Sequence, residues 1–161
     1  MPQSEAFTAG MRRLAAGVSL ITTTYDNQRY GLIATAVTSV CAEPPTLLIC
    51  VNRTASIHDH LTRAGHFCVN VLSVGQADIA TRFATPKNRE TRFELGSWVQ
   101  MQTGSPVLQG ACVSFDCKTS HEMTQGTHTV LFGQIQDVWL QDMSQPLTYH
   151  DGRFSTLAKI A

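Results

Sequence analysis

Two long stretches, 107–119 and 127–140, constrain this chain most. Both carry β-branched and aromatic residues and neither contains a proline, so both predict strands. Strands of that length leave long unpaired edges in a flat sheet, and a closed or strongly coiled sheet hides them. Further strands are predicted at 18–24, 30–40, 66–72, 98–102, 147–150 and 153–157. The run 46–51 is apolar throughout and predicts a strand buried on both faces. Asp26-Asn27-Gln28 predicts the turn of a first hairpin, Glu43-Pro44-Pro45 a strand stop, and Asp151-Gly152 a last hairpin turn.

Helical signals are few. Ser4 predicts the cap of a helix over 5–16 with Phe7, Met11 and Leu14 on one face and Gly17 as its stop. Ser56 with Asp59 has the spacing of a capping box, and Gly65 of a stop; Ser73 with Gln76 opens another helix to about Thr85. A polar loop over 86–96 carries Lys87, Arg89 and Arg92. The pattern predicts one domain over 1–161, mainly β, a barrel or sandwich with a few short flanking helices.

Charge and cysteine content narrow the function classes. Lys plus Arg and Asp plus Glu both number 12, so the formal net charge is zero. A general nucleic-acid binder needs a phosphate-neutralising excess that this chain lacks. Low charge also leaves little self-repulsion, which favours self-association. The run 47–51 is too short for a bilayer, and Arg12 and Arg13 stand where a signal peptide needs apolar residues. The expectation is a cytoplasmic protein without membrane spans. Five cysteines, an odd number with no C-x-x-C, read as reduced and buried.

The usual catalytic motifs are missing. There is no G-x-G-x-x-G after a strand, no phosphate loop of the G-x-x-x-x-G-K-[ST] type and no G-x-S-x-G elbow. His58 and His60, two apart on a predicted helix, point in different directions. His121 and His128 would face opposite sides of one unbroken strand. Three segments remain. In 31–39 small and hydroxyl residues fill a predicted strand; either a helix crowds it or a ligand approaches its backbone. Asn52-Arg53-Thr54-Ala55-Ser56 lies between a strand and a predicted helix start, either as a plain cap or as a phosphate site. Gly126-Thr127-His128 is a turn before a long strand.

The order of these blocks resembles the flavin reductase family with the FMN-binding split barrel. Within it the sequence is similar to the reductase components of two-component flavin monooxygenases, of the 4-hydroxyphenylacetate and pyrimidine-utilisation types. The matching blocks are Ala16-Gly17-Val18-Ser19-Leu20-Ile21-Thr22-Thr23, the ten residues from Gly31 to Val40, and Pro44 through Arg53. Phe67-Cys68-Val69-Asn70-Val71-Leu72, Arg92-Phe93, Val113-Ser114-Phe115-Asp116-Cys117 and Gly126-Thr127-His128 follow. They extend from about residue 6 to residue 157.

The resemblance implies a split β-barrel, Greek-key-like, that dimerises with flavin near the subunit interface. It implies flavin contacts for Ala34, Thr35, Ala36, Val37, Thr38 and Ser39, and phosphate or ribityl contacts for Asn52, Arg53, Thr54 and Ser56. It places Phe67, Cys68 and Asn70 beside the isoalloxazine, Arg92 at the phosphate, and His128 at the nicotinamide as the catalytic residue. Many relatives carry Asp where this chain has Thr127, which removes an acidic contribution from that turn. The implied activity is hydride transfer from NADH, or NADPH, to FMN, or FAD, with reduced flavin passing to a separate monooxygenase. A pyridoxamine-phosphate-oxidase-like enzyme and a flavin-binding module without turnover are the alternatives. Hydride transfer needs neither nucleophile nor metal, which agrees with the missing motifs. No segment is evidently devoted to an adenylate, which favours FMN.

Overall fold

The computed structural model describes residues 2–87, 89–141 and 145–160. In chain order its elements are α1 (Gln3–Met11), β1 (Ala16–Gly17), β2 (Ser19–Tyr25), β3 (Gln28–Ala34), β4 (Val37–Ala42), β5 (Pro45–Asn52), α2 (His58–Ala64) and β6 (His66–Val71). A 3-10 turn (Val74–Gln76) leads into α3 (Ala77–Ala84), and a second 3-10 segment covers Arg89–Glu94. The remaining strands are β7 (Trp98–Gln100), β8 (Pro106–Leu108), β9 (Val113–Gln125), β10 (His128–Leu140), β11 (Thr148–His150) and β12 (Arg153–Ser155).

Seven strands form one antiparallel sheet in the order β3-β2-β6-β9-β10-β5-β4. β3 and β4 are therefore opposite edges, yet only Thr35 and Ala36 separate them in sequence. A flat sheet of this size holds its edges roughly 29 Å apart at about 4.8 Å per strand. Three Cα steps from Ala34 to Val37 reach at most about 11 Å. The sheet must curl until its edges meet, which gives a barrel with one seam not closed by a ladder. The Cys50 amide donates to the Ala36 carbonyl at 3.1 Å and pins the crossing to β5. The expected single strand over 30–40 is thus two strands.

Inside the barrel, Ile21, Leu47, Ile49, Val51, Leu61, Phe67, Val69 and Leu131 pack together. Each such side chain contributes about 1.5–3 kcal/mol when removed from water. A second cluster lies outside it, where Val18, Leu20 and Leu72 meet Ile79, Ala80 and Phe83 of α3 and also Leu108 and Leu147. β2 serves both clusters, which explains its uninterrupted burial. β5 does not: Leu47, Ile49 and Val51 are buried, whereas Leu48 and Cys50 on its other face are half-buried, so the expected two-sided burial of 46–51 is corrected.

A layer of polar side chains holds the loop and strand at 103–108 against the sheet. Asn70, wholly buried, donates to the Leu20 carbonyl and the Thr22 hydroxyl, both at 3.1 Å, and accepts from the Leu108 amide at 2.8 Å and the Ser114 hydroxyl at 2.9 Å. The buried Asp116 carboxylate accepts from the Thr103 amide at 2.8 Å and from the Thr103 hydroxyl. Nδ1 of His66 lies 2.7 Å from the Ser105 hydroxyl. Burial lowers the His66 pKa, against a smaller opposing pull from Asp116.

Several expectations are corrected by tertiary contacts. The first helix ends at Met11, because Arg12 turns the chain toward Asp151: its guanidinium lies 3.3 Å from that carboxylate and its carbonyl accepts from the Asp151 amide. Gly17 is then not a helix stop but pairs with Thr148 in a small sheet of β1, β11 and β12. Ser4 makes no side-chain cap, and Phe7 and Leu14 stay 68% and 60% exposed. The predicted strand over 107–119 is broken at Gly110, whose φ of +81° suits glycine, and β9 continues to Gln125. His121 and His128 consequently lie on two strands of one hairpin. Ser73 and Gln76 do form a capping box, but on the 3-10 turn that precedes α3. Gly65 closes α2 at φ +68°, and Asp26-Asn27 and Asp151-Gly152 take the left-handed conformations of tight turns. The cysteines are free, with Cys68 and Cys117 buried; burial pushes the Cys117 thiol up to about 12. Cys41 is exposed, contrary to expectation.

Gly133 on β10 faces the barrel core. A Cβ there would lie 2.5 Å from Cζ of Phe67 and 2.8 Å from Cβ of Cys117. Gly133→Ala is expected to cost about 1–3 kcal/mol by overpacking. Urea unfolding followed by tryptophan fluorescence reads this; an unchanged midpoint would show that the core accommodates the methyl freely.

Candidate functional site

The segment after β5 is organised by Asn52. Its Oδ1 accepts from both the amide and the hydroxyl of Thr54 at 2.9 Å, and its carbonyl accepts from the Ala55 amide at 2.9 Å. The Arg53 amide donates to the Thr127 carbonyl at 2.9 Å. Asn52 and His128 are register partners across β5 and β10. The Asn52–Thr54 turn and the Gly126-Thr127-His128 turn, 74 positions apart between Arg53 and Thr127, therefore form one rim of the barrel. His128 is exposed, with Nδ1 2.9 Å from the Thr127 hydroxyl.

The expected capping box at Ser56 does not form. Helix α2 begins at His58 with no side-chain cap. Asp59 pairs instead with His58 Nδ1 at 2.9 Å, and this hydrogen bond lowers its pKa. The other His58 nitrogen lies 2.9 Å from the Thr129 hydroxyl, while His60 stacks on Tyr30. The Ser56 hydroxyl is left without a partner among the described residues and faces a cleft.

The cleft has two connected lobes that share Gly31, Ser56, Ile57, Arg89 and Arg92. One lobe, about 370 Å³, reaches Leu32, Thr54, Phe83 and Thr85. The other, about 390 Å³, reaches Arg29, Tyr30, His60 and Phe93. Arg92 stands at the junction and is only 9% exposed. Its Nη2 donates to the Thr85 carbonyl, its guanidinium lies 5.8 Å from the centre of the Phe83 ring, and its Nε, closed off from solvent, has no hydrogen-bond partner among the described residues. Burial, then the nearby Arg89 charge, lowers its pKa. A guanidinium nevertheless keeps its proton in proteins. An almost buried cation that lines the cleft, beside a second arginine and a hydroxyl without a partner among the described residues, suits a phosphate or another compact anion.

The small-residue segment divides between its two readings. Gly31 is crowded by α3: a Cβ there would meet Phe83 at 2.5 Å. Ala34 is buried at the end of β3, whereas Thr35, Ala36, Thr38 and Ser39 are exposed and Val37 is half-buried. Thr35 and Ala36 adjoin β5 through the Ala36 carbonyl and so lie near the Asn52 turn. The structure does not bring Phe67, Cys68 and Asn70 to the cleft with their side chains: all three are wholly buried, Phe67 in the barrel core and Asn70 in the polar layer. The sequence marks Arg89 only as a loop cation and His60 only as one of a histidine pair unable to share an ion, and Arg29 and Tyr30 carry no motif. They reach the cleft because β3 and α2 both border it.

Comparison with known proteins agrees with this architecture. Residues 11–158 match the family model of the flavin reductase like domain. A relative named FMN reductase (NADH) RutF, from Stutzerimonas stutzeri (strain A1501), is 43% identical over 154 residues, covering 96% of this chain and 88% of its own length. The structure of the Streptomyces globisporus C-1027 NADH:FAD oxidoreductase SgcE6, in complex with NAD and FAD fragments, superposes with a TM-score of 0.89 at 27% identity, covering 97% of this chain and 93% of that one. BorF, the flavin reductase component of a bacterial two-component tryptophan halogenase, gives a TM-score of 0.89 at 29% identity, with 98% and 100% covered.

Proposed function

Because the chain belongs to the flavin reductase like family, we propose that its cleft holds the flavin phosphate and that the protein is an NADH-dependent FMN reductase. The observation that carries the assignment of the cleft is Arg92: a nearly buried guanidinium that lines the same cavity as the Ser56 hydroxyl, which has no partner among the described residues. Bound flavin supplies the acceptor for a hydride from the nicotinamide. The chain's own work is positional. Arg92, Ser56 and Thr54 bind the phosphate, with Arg89 adding charge. The Asn52–Thr54 turn carries the grip to the rim, where His128 orients the nicotinamide. The exposed Thr35, Ala36, Thr38 and Ser39 offer a surface of small side chains on which a planar ring can lie.

We infer that the reduced flavin leaves for a separate monooxygenase, a reading supported by the two-component relative, and that the transfer takes place in the cytoplasm. No helix among the described residues is long and apolar enough to cross a membrane. A second copy of the chain is the occupant we infer for the apolar surface left by Phe7, Met11 and Leu14 and, at the other terminus, Phe154 and Leu157. Light scattering after gel filtration is expected to give twice 17.6 kDa. A fully active monomer at micromolar concentration would contradict the dimer.

The reductase assignment is tested by NADH oxidation with FMN as acceptor under anaerobic conditions; no flavin-dependent oxidation would overturn it. Ser56→Ala and Arg92→Gln are expected to weaken FMN by about tenfold or more while leaving riboflavin, which has no phosphate, nearly unchanged. Equal losses for the two flavins in a titration would remove the phosphate from this cleft. His128→Ala should leave FMN affinity intact and raise the KM for NADH or slow flavin reduction, up to about 10²-fold for a misplacement of about 1 Å. Wild-type reduction kinetics in rapid mixing would make His128 purely structural.

A further inference from the structure

One side chain joins the Ser56 turn to the strand that carries His128. His58 opens α2, two residues after Ser56, and its ring is only 13% exposed. Its Nε2 lies 2.9 Å from the hydroxyl of Thr129, the residue after His128 on β10. Its Nδ1 lies 2.9 Å from a carboxylate oxygen of Asp59, and this hydrogen bond lowers the Asp59 pKa. An ionised carboxylate can only accept, so Nδ1 carries a proton, and in the neutral ring Nε2 accepts from the Thr129 hydroxyl. Asp59 thus selects the tautomer that Thr129 meets. Thr129 and Leu131 are buried on the core side of β10, whereas His128 is exposed on the other. The His58 amide donates to the Ala55 carbonyl at 2.9 Å, so the ring is tied to the segment that holds Ser56. Helix α2 has no side-chain cap of its own. Its start is therefore held by the packing of Ile57 and Leu61 in the barrel core and by the His58–Thr129 contact.

We propose that His58 is a positioning residue that carries phosphate recognition to the hydride-transfer end of the site, so that a flavin bearing a phosphate is reduced faster than one without. The proposal rests on the reading that the flavin phosphate lies at Ser56 and that His128 orients the nicotinamide. A phosphate on Ser56 draws the turn into one position. The His58 ring follows the turn, and through Thr129 it sets the place of the neighbouring His128. Binding energy from a group remote from the reacting atoms then goes into alignment, and it raises the rate as well as the affinity. Alignment is steeply rewarded, since a misplacement of about 1 Å costs about 10²-fold. The Arg53–Thr127 bond joins the two turns through backbone alone. The His58–Thr129 contact is the side-chain link between them, and substitution can cut it.

The test is the limiting rate of flavin reduction by NADH, measured by anaerobic rapid mixing with saturating FMN and, separately, saturating riboflavin. It is run on the full chain and on His58→Ala, His58→Gln, Thr129→Val and the His58→Ala/Thr129→Val double variant. The unaltered protein is expected to reduce FMN about tenfold faster than riboflavin, the scale of one hydrogen bond. His58→Ala and Thr129→Val should each bring the FMN rate to within about twofold of the riboflavin rate, and the double variant should lose no more than either single one. Glutamine can bring its amide to the place of Nε2, so His58→Gln should restore most of the FMN advantage. Riboflavin on the same variant is the internal control, and the flavin comparison on the unaltered protein needs no variant to fold. Equal rates for the two flavins in the unaltered protein would overturn the proposal. So would equal losses for both flavins in the variants, an unchanged FMN advantage, or losses that add in the double variant. Failure of the phosphate assignment itself appears separately, as equal effects of Ser56→Ala on the binding of FMN and riboflavin.

Discussion

The crossing at Thr35-Ala36 is the constraint on which the rest of the structure depends. Two residues join strands at opposite edges of a seven-stranded sheet, and the sheet can satisfy that link only by curling. Curling creates the interior that Phe67, Ile49 and Leu131 fill. It also brings β3 around to the end of β5, so that Gly31 and Ser56 border one cleft. The cleft depends on that closure: β3 and the segment 54–57 after β5 form two of its walls, and the helices α2 and α3 with the 3-10 segment Arg89–Glu94 complete it.

The outer layer connects to the same place. Asn70, Asp116, His66 and Thr22 hold the loop and strand at 103–108 through polar contacts, and β8 pairs with β7, which carries Trp98. Trp98 lies 4.8 Å from Phe93 between ring centres, and Phe93 meets Phe83 edge to face at 5.1 Å. Phe83 underlies Arg92, and Phe93 underlies Arg29. Two cations that solvent would otherwise leave mobile therefore rest on one aromatic cluster. Under the proposed phosphate assignment, such preorganisation spares the cost of ordering long side chains on binding.

The sequence showed most strands, because β-branched and apolar runs bounded by turn residues identify β2, β5, β6 and β10 locally. It showed Asn52, Thr54, Ser56 and His128 as candidates, through turn chemistry and family likeness. The break at Thr35-Ala36 was not legible, since small residues sit equally well in a strand or in a crossing, and sheet closure decides between them. Burial of Phe67 and Asn70 was not legible either: a strand with apolar and amide side chains gives no sign of whether its faces meet core or ligand. Gly110 hid in a strand-like run because only the φ it adopts marks the turn. The convergence of Arg29 and His60 with Arg89 and Arg92 is entirely tertiary, produced by the seam and by the placement of α2.

The central claim is that the flavin phosphate lies between Ser56 and Arg92. A crystal structure of the protein with FMN tests it most directly. The account predicts phosphate oxygens within about 3 Å of a guanidinium nitrogen of Arg92 and of the Ser56 hydroxyl, as charge-assisted hydrogen bonds require. A phosphate bound elsewhere on the barrel, out of reach of the Arg92 guanidinium, would contradict it.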